Sequence, residues 1–304
     1  MREDFSKKLV QFAQNDPNVI LLTGDHGYAL FDDFRKACPN QYINAGIAEQ
    51  NMMGVAAGLA RIGFRPFVYG LAAFIPIRTL EQIKIDIAHD NLPVVILGDG
   101  AGFVYSHLGT SHQSNEDIAC IRGIPNIQIL SPADRFEMQC CMDFAFSVNS
   151  PVYLRIGKSD KGDVHQRSIN KFEAGHLIKI LHGSSSKIGL IATGSMVSSA
   201  LEVGKKKSLS VWSAPMIKPL SVTDICSAAR ETSGLVTIEE HSVFGGLGSA
   251  VSEIISQVPV TRVLRLGVLD KFSDVVGSHN YLLKHHGLDI ETILNRIEEF
   301  ENVL

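Results

Sequence analysis

The sequence predicts an α/β protein with two doubly wound domains, each built on a mainly parallel sheet. Short apolar runs alternate with longer segments of helical periodicity along most of the 304 residues. A more polar stretch at about 157–187, which contains Gly183-Ser184-Ser185-Ser186, separates two such series. A chain of this length is sufficient for two ordinary domains. We therefore predict domains at residues 1–160 and 187–304, the second one smaller, with a linker at 161–186.

The apolar runs of the first domain have the length of strands. They lie at residues 19–22, 67–69, 93–97, 127–130 and 152–154. Helices are predicted at 46–61, at 78–88 and at 115–122 with Asn115 as the N-cap, and Ser131-Pro132-Ala133-Asp134 opens another. The second domain repeats the pattern, with strands at 188–192, 210–212, 235–238 and 261–266. Such alternation indicates parallel sheets covered on both faces.

Composition argues against several classes of function. The net charge of -4 and a single short basic run, Lys205-Lys206-Lys207, give no sign of a nucleic-acid partner. No apolar run approaches the roughly 18 residues that a membrane-spanning helix needs. The five cysteines are odd in number and two of them, Cys140 and Cys141, are adjacent, which argues against a disulfide framework and favours the cytoplasm. No spacing of Cys and His matches a zinc site.

Glu49 is the one charged residue between Lys36 and Arg61. Its neighbours along the chain are mostly Gly, Ala, Met and Ile, so we expect its carboxyl to be poorly solvated. Proteins seldom bury a glutamate without a bonding partner. The identity of that partner is therefore the central question of the sequence.

A polar loop is predicted after the strand at 93–97. It contains His107 and His112 among several hydroxyl side chains, and α/β sheets bind ligands at this end of their strands. The two histidines are suited to proton transfer, although from this segment alone ordinary loop histidines are slightly favoured. Phe74, near another strand–helix junction, is by default a core residue.

Two glycine-containing motifs allow a structural and a functional interpretation. Gly98-Asp99-Gly100, followed by Asn126, resembles the magnesium and diphosphate signature of thiamine diphosphate enzymes, but a turn at a strand end is favoured. The segment 239–251 could bind an anion at a helix N-terminus, but close helix packing through glycine is favoured.

The ordered set of motifs carries a family resemblance. The segments lie at residues 44–52, 78–83, 111–134 and 239–250. In this order they resemble the C-terminal half of transketolase, and more specifically the separate C-terminal subunit of the split transketolases, which are related to deoxyxylulose-phosphate synthase. The resemblance implies a thiamine pyrimidine-binding domain at 1–160 and a transketolase C-terminal-like domain at 187–304.

The resemblance also implies roles for individual residues. Glu49 would contact the aminopyrimidine ring of thiamine diphosphate, where its proton promotes the cofactor's own activation, and Phe74 would stack on that ring. Leu71 and Asp25 would also bind the cofactor. His112, together with His107, would face substrate oxygens. The implied activity is transfer of a two-carbon ketol unit from a ketose donor to an aldehyde or ketone.

The resemblance further implies a partner chain. In this family the diphosphate and Mg²⁺ are bound by another domain, which precedes the pyrimidine domain. We therefore expect an N-terminal transketolase-like subunit to bind both groups in an α2β2 assembly, with the cofactor between subunits.

The chain departs from the family pattern at several substrate positions. Lys158 stands where the family has a phosphate-binding arginine, and lysine cannot make the bidentate contact. Gly100 replaces a histidine, Leu108 replaces an aspartate that meets a substrate hydroxyl, and Asn51 replaces a histidine. We therefore expect a less hydroxylated, bulkier or nucleotide-linked acceptor in place of ordinary sugar phosphates.

Two other functions stay open at this point. Loss of sugar-hydroxyl contacts at Leu108 and Gly100 favours, to a small extent, a deoxyketose synthase or a thiamine ligase that decarboxylates a 2-oxo acid. The other is a non-catalytic scaffold subunit, and the intact Glu49 counts against it.

Overall fold

The computed structural model describes residues 1–27, 29–158, 160–169, 172–258 and 261–304. The strands are β1 Val19–Thr23, β2 Tyr42–Asn44, β3 Arg65–Leu71, β4 Val95–Asp99, β5 Gln128–Leu130, β6 Val152–Ile156, β7 Ile178–Leu181, β8 Ser185–Ala192, β9 Leu209–Ser213, β10 Met216–Lys218, β11 Gly234–Ser242 and β12 Arg262–Val268. The α-helices are α1 Arg2–Asn15, α2 Asp32–Ala37, α3 Glu49–Arg61, α4 Ile75–Arg78, α5 Leu80–Gln82, α6 Asp117–Arg122, α7 Arg135–Ser147, α8 Met196–Lys207, α9 Val222–Glu231, α10 Leu247–Gln257, α11 His279–His285 and α12 Ile290–Glu301.

The strands form two mainly parallel sheets, which confirms the predicted fold class. Among the described residues the first sheet has seven strands in the order β10-β5-β6-β4-β3-β1-β2, and the second has five in the order β12-β11-β8-β9-β7. Only β10 and β7 run antiparallel to their neighbours within these strands. Apolar clusters lie on both faces of each sheet, as expected for a doubly wound fold.

Two edge strands cross the predicted domain pattern. The strand β7 lies inside the segment predicted as a linker, 161–186, and joins the second sheet. The strand β10 comes from the second half of the chain and pairs with β5 of the first sheet. The predicted domain bounds remain a prediction.

Several predicted helix ends were wrong for local reasons. The helix predicted from residue 46 begins at Glu49, because Gly46 N–H bonds the Asn44 side chain at 2.8 Å in a turn. Glu116, and not Asn115, precedes α6. Asp134 caps α7 by accepting from Phe136 and Glu137 backbone N–H groups, so Ser131-Pro132-Ala133 lies outside that helix. The helix predicted at 78–88 is α4, α5 and a π-helical segment, Ile83–Ala88.

A buried ion pair joins the two halves of the molecule. Arg155, at the end of β6, is 2% exposed, and its Nε donates to Asp117 Oδ2 at 2.8 Å. The same guanidinium donates to the carbonyl oxygens of Ser114 at 3.2 Å and of Glu240 at 2.8 Å. Tyr153 also donates to Asp117, at 2.7 Å. This network fixes α6, β6 and β11 relative to one another.

Glu239 explains the glycine-rich segment that follows β11. Its buried carboxylate accepts from the backbone N–H groups of Leu247 and Gly248, both at 2.8 Å, at the start of α10. A Cβ on Gly246 would lie 2.0 Å from Glu239 Oε2. The first turn of α10 is therefore bound by a carboxylate of the same chain, which supports the packing interpretation. Burial raises the pKa of Glu239 to about 7.

We expect Asp117→Asn to lower the free energy of unfolding by about 3–5 kcal/mol, because it leaves the Arg155 charge buried without its counter-charge. Urea unfolding would measure this loss. The control is Asp163→Asn, which removes the partly exposed pair with Arg135 and should cost less than about 1 kcal/mol. Equal, small losses in both variants would contradict the importance of the buried pair.

We expect Glu239→Gln to make stability less dependent on pH. The folded pKa of about 7 lies above the ordinary value of 4.5, so the unfolded chain loses its proton first as pH rises. The unaltered protein therefore loses stability from this group between about pH 4.5 and pH 7, and the glutamine variant does not. Unfolding midpoints measured from pH 5 to pH 8 test this. The exposed Glu202→Gln should keep the original profile, and an unchanged profile in Glu239→Gln would refute the assignment.

Candidate active site

The carboxyl edge of the first sheet brings together most of the predicted site residues. The strands β1, β3 and β4 are neighbours and run parallel, so Asp25, Phe74 and Gly100 follow strands that end side by side. Leu71, the last residue of β3, lies opposite Asp99, and Ala72 N–H bonds Asp99 O at 2.7 Å. Ligands of parallel sheets bind at this edge.

Glu49 is the first residue of α3 and is 7% exposed, so its predicted burial is confirmed. Its partner within this chain is Arg78, whose Nη1 lies 2.6 Å from Glu49 Oε1. Arg78 was predicted only as a helix start, and its contact with Glu49 was not predicted. The ion pair supplies the counter-charge that a buried carboxylate requires.

Phe74 lies beside this ion pair and not in the core, since it is only half-buried. The Arg78 guanidinium carbon lies 4.6 Å from the Phe74 ring centre, as expected for residues four apart at a helix start. The His112 ring centre lies 5.3 Å from that of Phe74, with the rings at 66°. His26 lies on another side, with ring centres 6.1 Å apart. His26 was not predicted as a site residue, although it follows Asp25 directly.

The remaining predicted residues differ in their surroundings. His107 and Asp25 are exposed, and Leu71 is 8% exposed. Leu108 places an apolar side chain, 50% exposed, on the surface of the loop. Lys158 pairs with Asp160 at 3.0 Å, so its charge already has a partner.

Gly100 is buried, and the space that a side chain would need is filled. A Cβ at this position would lie 2.0 Å from the Tyr105 ring, and the backbone has a φ of +77°. We predicted that Gly100 faces the substrate and offers it no polar group. That prediction did not include Tyr105, whose ring covers Gly100. No periodic signal in the sequence could indicate this contact, because it lies within an irregular loop.

The Gly98-Asp99-Gly100 motif builds a hydrogen-bonded cluster within the chain. Asp99 Oδ2 accepts from Tyr69 Oη at 2.7 Å, from Arg2 Nη2 at 2.9 Å and from Tyr105 Oη at 3.2 Å. The described residues contain no group of three or more His, Cys, Asp or Glu side chains placed to bind a metal ion. The contacts of Asp99 therefore support the strand-end interpretation.

No helix in the described part of the chain is both long enough and apolar enough to cross a membrane.

Comparisons with known proteins agree on one family. Residues 1–162 match the family described as transketolase, pyrimidine binding domain, and residues 178–293 match transketolase, C-terminal domain. The chain is 36% identical to one subunit of the apulose-4-phosphate transketolase of Phocaeicola vulgatus, over 98% of this chain and 96% of that protein. It is 29% identical to the 6-deoxy-6-sulfo-D-fructose transketolase subunit SqwH of a Clostridium species, over 98% and 94% of the two chains.

A solved structure described as a split gene transketolase, inactive beta4 tetramer, has 35% sequence identity and a TM-score of 0.88, covering 98% of this chain and 96% of its own. The resemblance found in the sequence is confirmed by these matches. The chain belongs to the transketolase family, as a subunit of the split type that carries the pyrimidine-binding and C-terminal domains.

Proposed function

We propose that this chain, with a partner subunit, transfers a two-carbon ketol unit from a ketose donor to an aldehyde or ketone by means of thiamine diphosphate. The observation that carries the proposal is the arrangement of Glu49, Phe74 and His112 around one position at the carboxyl edge of the first sheet. Glu49 contacts Arg78, and Arg78 and His112 both contact the Phe74 ring.

The residues present fit the pyrimidine half of the cofactor. An aminopyrimidine is a flat ring with hydrogen-bonding nitrogens at its edge. Phe74 offers a half-exposed aromatic face, and Glu49 offers a carboxyl oxygen, Oε2, with no hydrogen bond in the described part of the chain. When bound, the cofactor supplies the carbanion stabilisation that allows a carbon–carbon bond of a ketose to break.

Glu49 holds and moves a proton at a ring nitrogen of the pyrimidine. Its position in a poorly hydrated site strengthens that hydrogen bond. Arg78 bonds Glu49 and covers Phe74 in this structure, so its side chain, 44% exposed, has to turn outward when a ring binds. Arg78 therefore preserves the charge balance of Glu49 until the cofactor arrives.

His112 binds and protonates substrate oxygens. Its ring contacts Phe74 and thus lies next to the proposed position of the pyrimidine, and Ser111 Oγ lies 3.0 Å from its Nδ1. Histidine exchanges protons near neutral pH, which suits this role. His107, on the same loop, is exposed and assists His112 at the substrate oxygens.

The partner subunit binds the diphosphate and Mg²⁺ in an α2β2 assembly. Support comes from exposed apolar residues near the Glu49–Arg78 pair along the chain: Ile47, two residues before Glu49, is 77% exposed, and Ile77, directly before Arg78, is 48% exposed. The similar split-gene structure, a beta4 tetramer, is described as inactive. The odd number of cysteines, two of them adjacent, supports our placement of the complex in the cytoplasm.

The substrate is a sugar derivative other than the ordinary pentose and hexose phosphates. Lys158 is engaged by Asp160, and Leu108 is apolar, so both positions are poor contacts for a phosphate and a hydroxyl. Two similar proteins are named for apulose 4-phosphate and for a sulfonated fructose, so the sugar differs between these relatives. The exposed Leu108 also favours a second candidate, a ligase that decarboxylates a 2-oxo acid. Release of CO₂ from pyruvate would distinguish the two.

We expect Glu49→Gln in the two-chain complex to lower kcat by about 10²–10⁴-fold, because the amide cannot hold and release a proton. Steady-state turnover of a ketose donor would measure the loss. The control is Glu81→Gln, an exposed glutamate on the neighbouring helix α5, which should keep normal turnover. Full activity in Glu49→Gln would refute the catalytic assignment.

We expect Phe74→Ala to raise the Kd of thiamine diphosphate for the complex by about three- to tenfold, because the stacking surface is lost. Calorimetric titration with the cofactor would measure this change. Phe244→Ala, which truncates an exposed phenylalanine of the second domain, should leave the affinity unaltered. An unchanged Kd in Phe74→Ala would show that the ring binds elsewhere.

A further inference from the structure

Tyr105 lies on the loop that joins β4 to α6. Its ring packs on Gly100, where a Cβ would meet the ring at 2.0 Å, and the side chain is only half-buried. The φ of +77° at Gly100 strains any other residue, so position 100 cannot itself supply a polar group. Tyr105, whose ring covers this position, carries a hydroxyl group.

The hydroxyl of Tyr105 has a defined hydrogen-bond direction. It lies 3.2 Å from Asp99 Oδ2, which also receives bonds from Arg2 at 2.9 Å and from Tyr69 at 2.7 Å. Burial and the Asp99 charge raise the pKa of Tyr105 to about 12, so the phenol stays protonated. Because Asp99 can only accept, Tyr105 uses its proton there, and its oxygen lone pairs remain as acceptors.

The loop that carries Tyr105 adjoins the candidate active site. Asp99 ends β4 directly opposite Leu71, three residues before Phe74. The loop that carries Tyr105 also carries His112, whose ring contacts Phe74. The loop that carries Tyr105 therefore also borders the position that we propose for the substrate.

Building on the proposed function, we propose that the Tyr105 hydroxyl oxygen accepts a hydrogen bond from a hydroxyl group of the sugar substrate and thereby determines specificity. Asp99 and Arg2 are positioning residues, since they fix the phenol without reaching the reacting atoms. The substrate is accordingly a hydroxylated sugar, although Leu108 offers it no polar contact.

The test uses Tyr105→Phe in the two-chain enzyme with hydroxypyruvate as donor, whose loss of CO₂ provides the two-carbon unit. The acceptors are D-glyceraldehyde and propanal, which has the same carbon chain without hydroxyls. We expect kcat/KM to fall about tenfold for D-glyceraldehyde, mainly through KM, and to stay unchanged for propanal. Equal changes for both acceptors, or no change, would overturn the proposal.

Tyr69→Phe is the matched control. It also removes a phenol hydroxyl that donates to the Asp99 carboxylate, but Tyr69 is only 1% exposed. It should lower the unfolding midpoint and leave the ratio of kcat/KM for the two acceptors unchanged. Failure of the unaltered complex to use any aldehyde with hydroxypyruvate would count against the proposed function itself. Normal turnover with an unchanged acceptor ratio in Tyr105→Phe would count only against Tyr105.

Discussion

The buried charge of Arg155 is the constraint on which the rest of the molecule depends. A guanidinium removed from water requires a counter-charge and acceptors for its remaining N–H groups, and here Asp117, Ser114 and Glu240 provide them. These three residues come from α6, from the loop before it and from the second sheet. Satisfying one cation therefore fixes the orientation of the two halves of the chain.

The loop between β4 and α6 is consequently held at both of its ends. Asp99 anchors its beginning through Tyr105, and Asp117 anchors the helix after it. In between, Gly102 and Ser114 pair as an isolated bridge, and Ser273 of the second domain bonds the Gln113 side chain at 2.7 Å. His112, which we propose to contact a substrate oxygen, thus lies on a segment that is hydrogen-bonded at several points, and such support favours a fixed position.

Elements with a strong local signal could be predicted from the sequence. The apolar strands and the isolated charge of Glu49 are such signals, and both predictions agree with the structure. The short strands β2, β7 and β10 were not predicted from the sequence, because three or four residues give no periodicity and their pairing is decided by distant segments. The Arg78–Glu49 contact and the Arg2–Asp99 contact were not predicted because each joins distant segments, and the Tyr105 contacts were not predicted because they lie within an irregular loop. Arg2, for example, lies 97 residues from the carboxylate that it bonds.

The strand β10 has a consequence for any attempt to divide this chain. Met216–Lys218 covers the outer edge of β5, although these residues follow the whole first half in sequence. A fragment that stops near residue 160 would retain every residue of the proposed pyrimidine site and yet leave the backbone groups of β5 unpaired along an open edge. Open edges recruit other strands and promote aggregation. A fragment that keeps this sheet edge paired therefore has to extend beyond residues 1–162, which match the pyrimidine-binding family, to include Met216–Lys218.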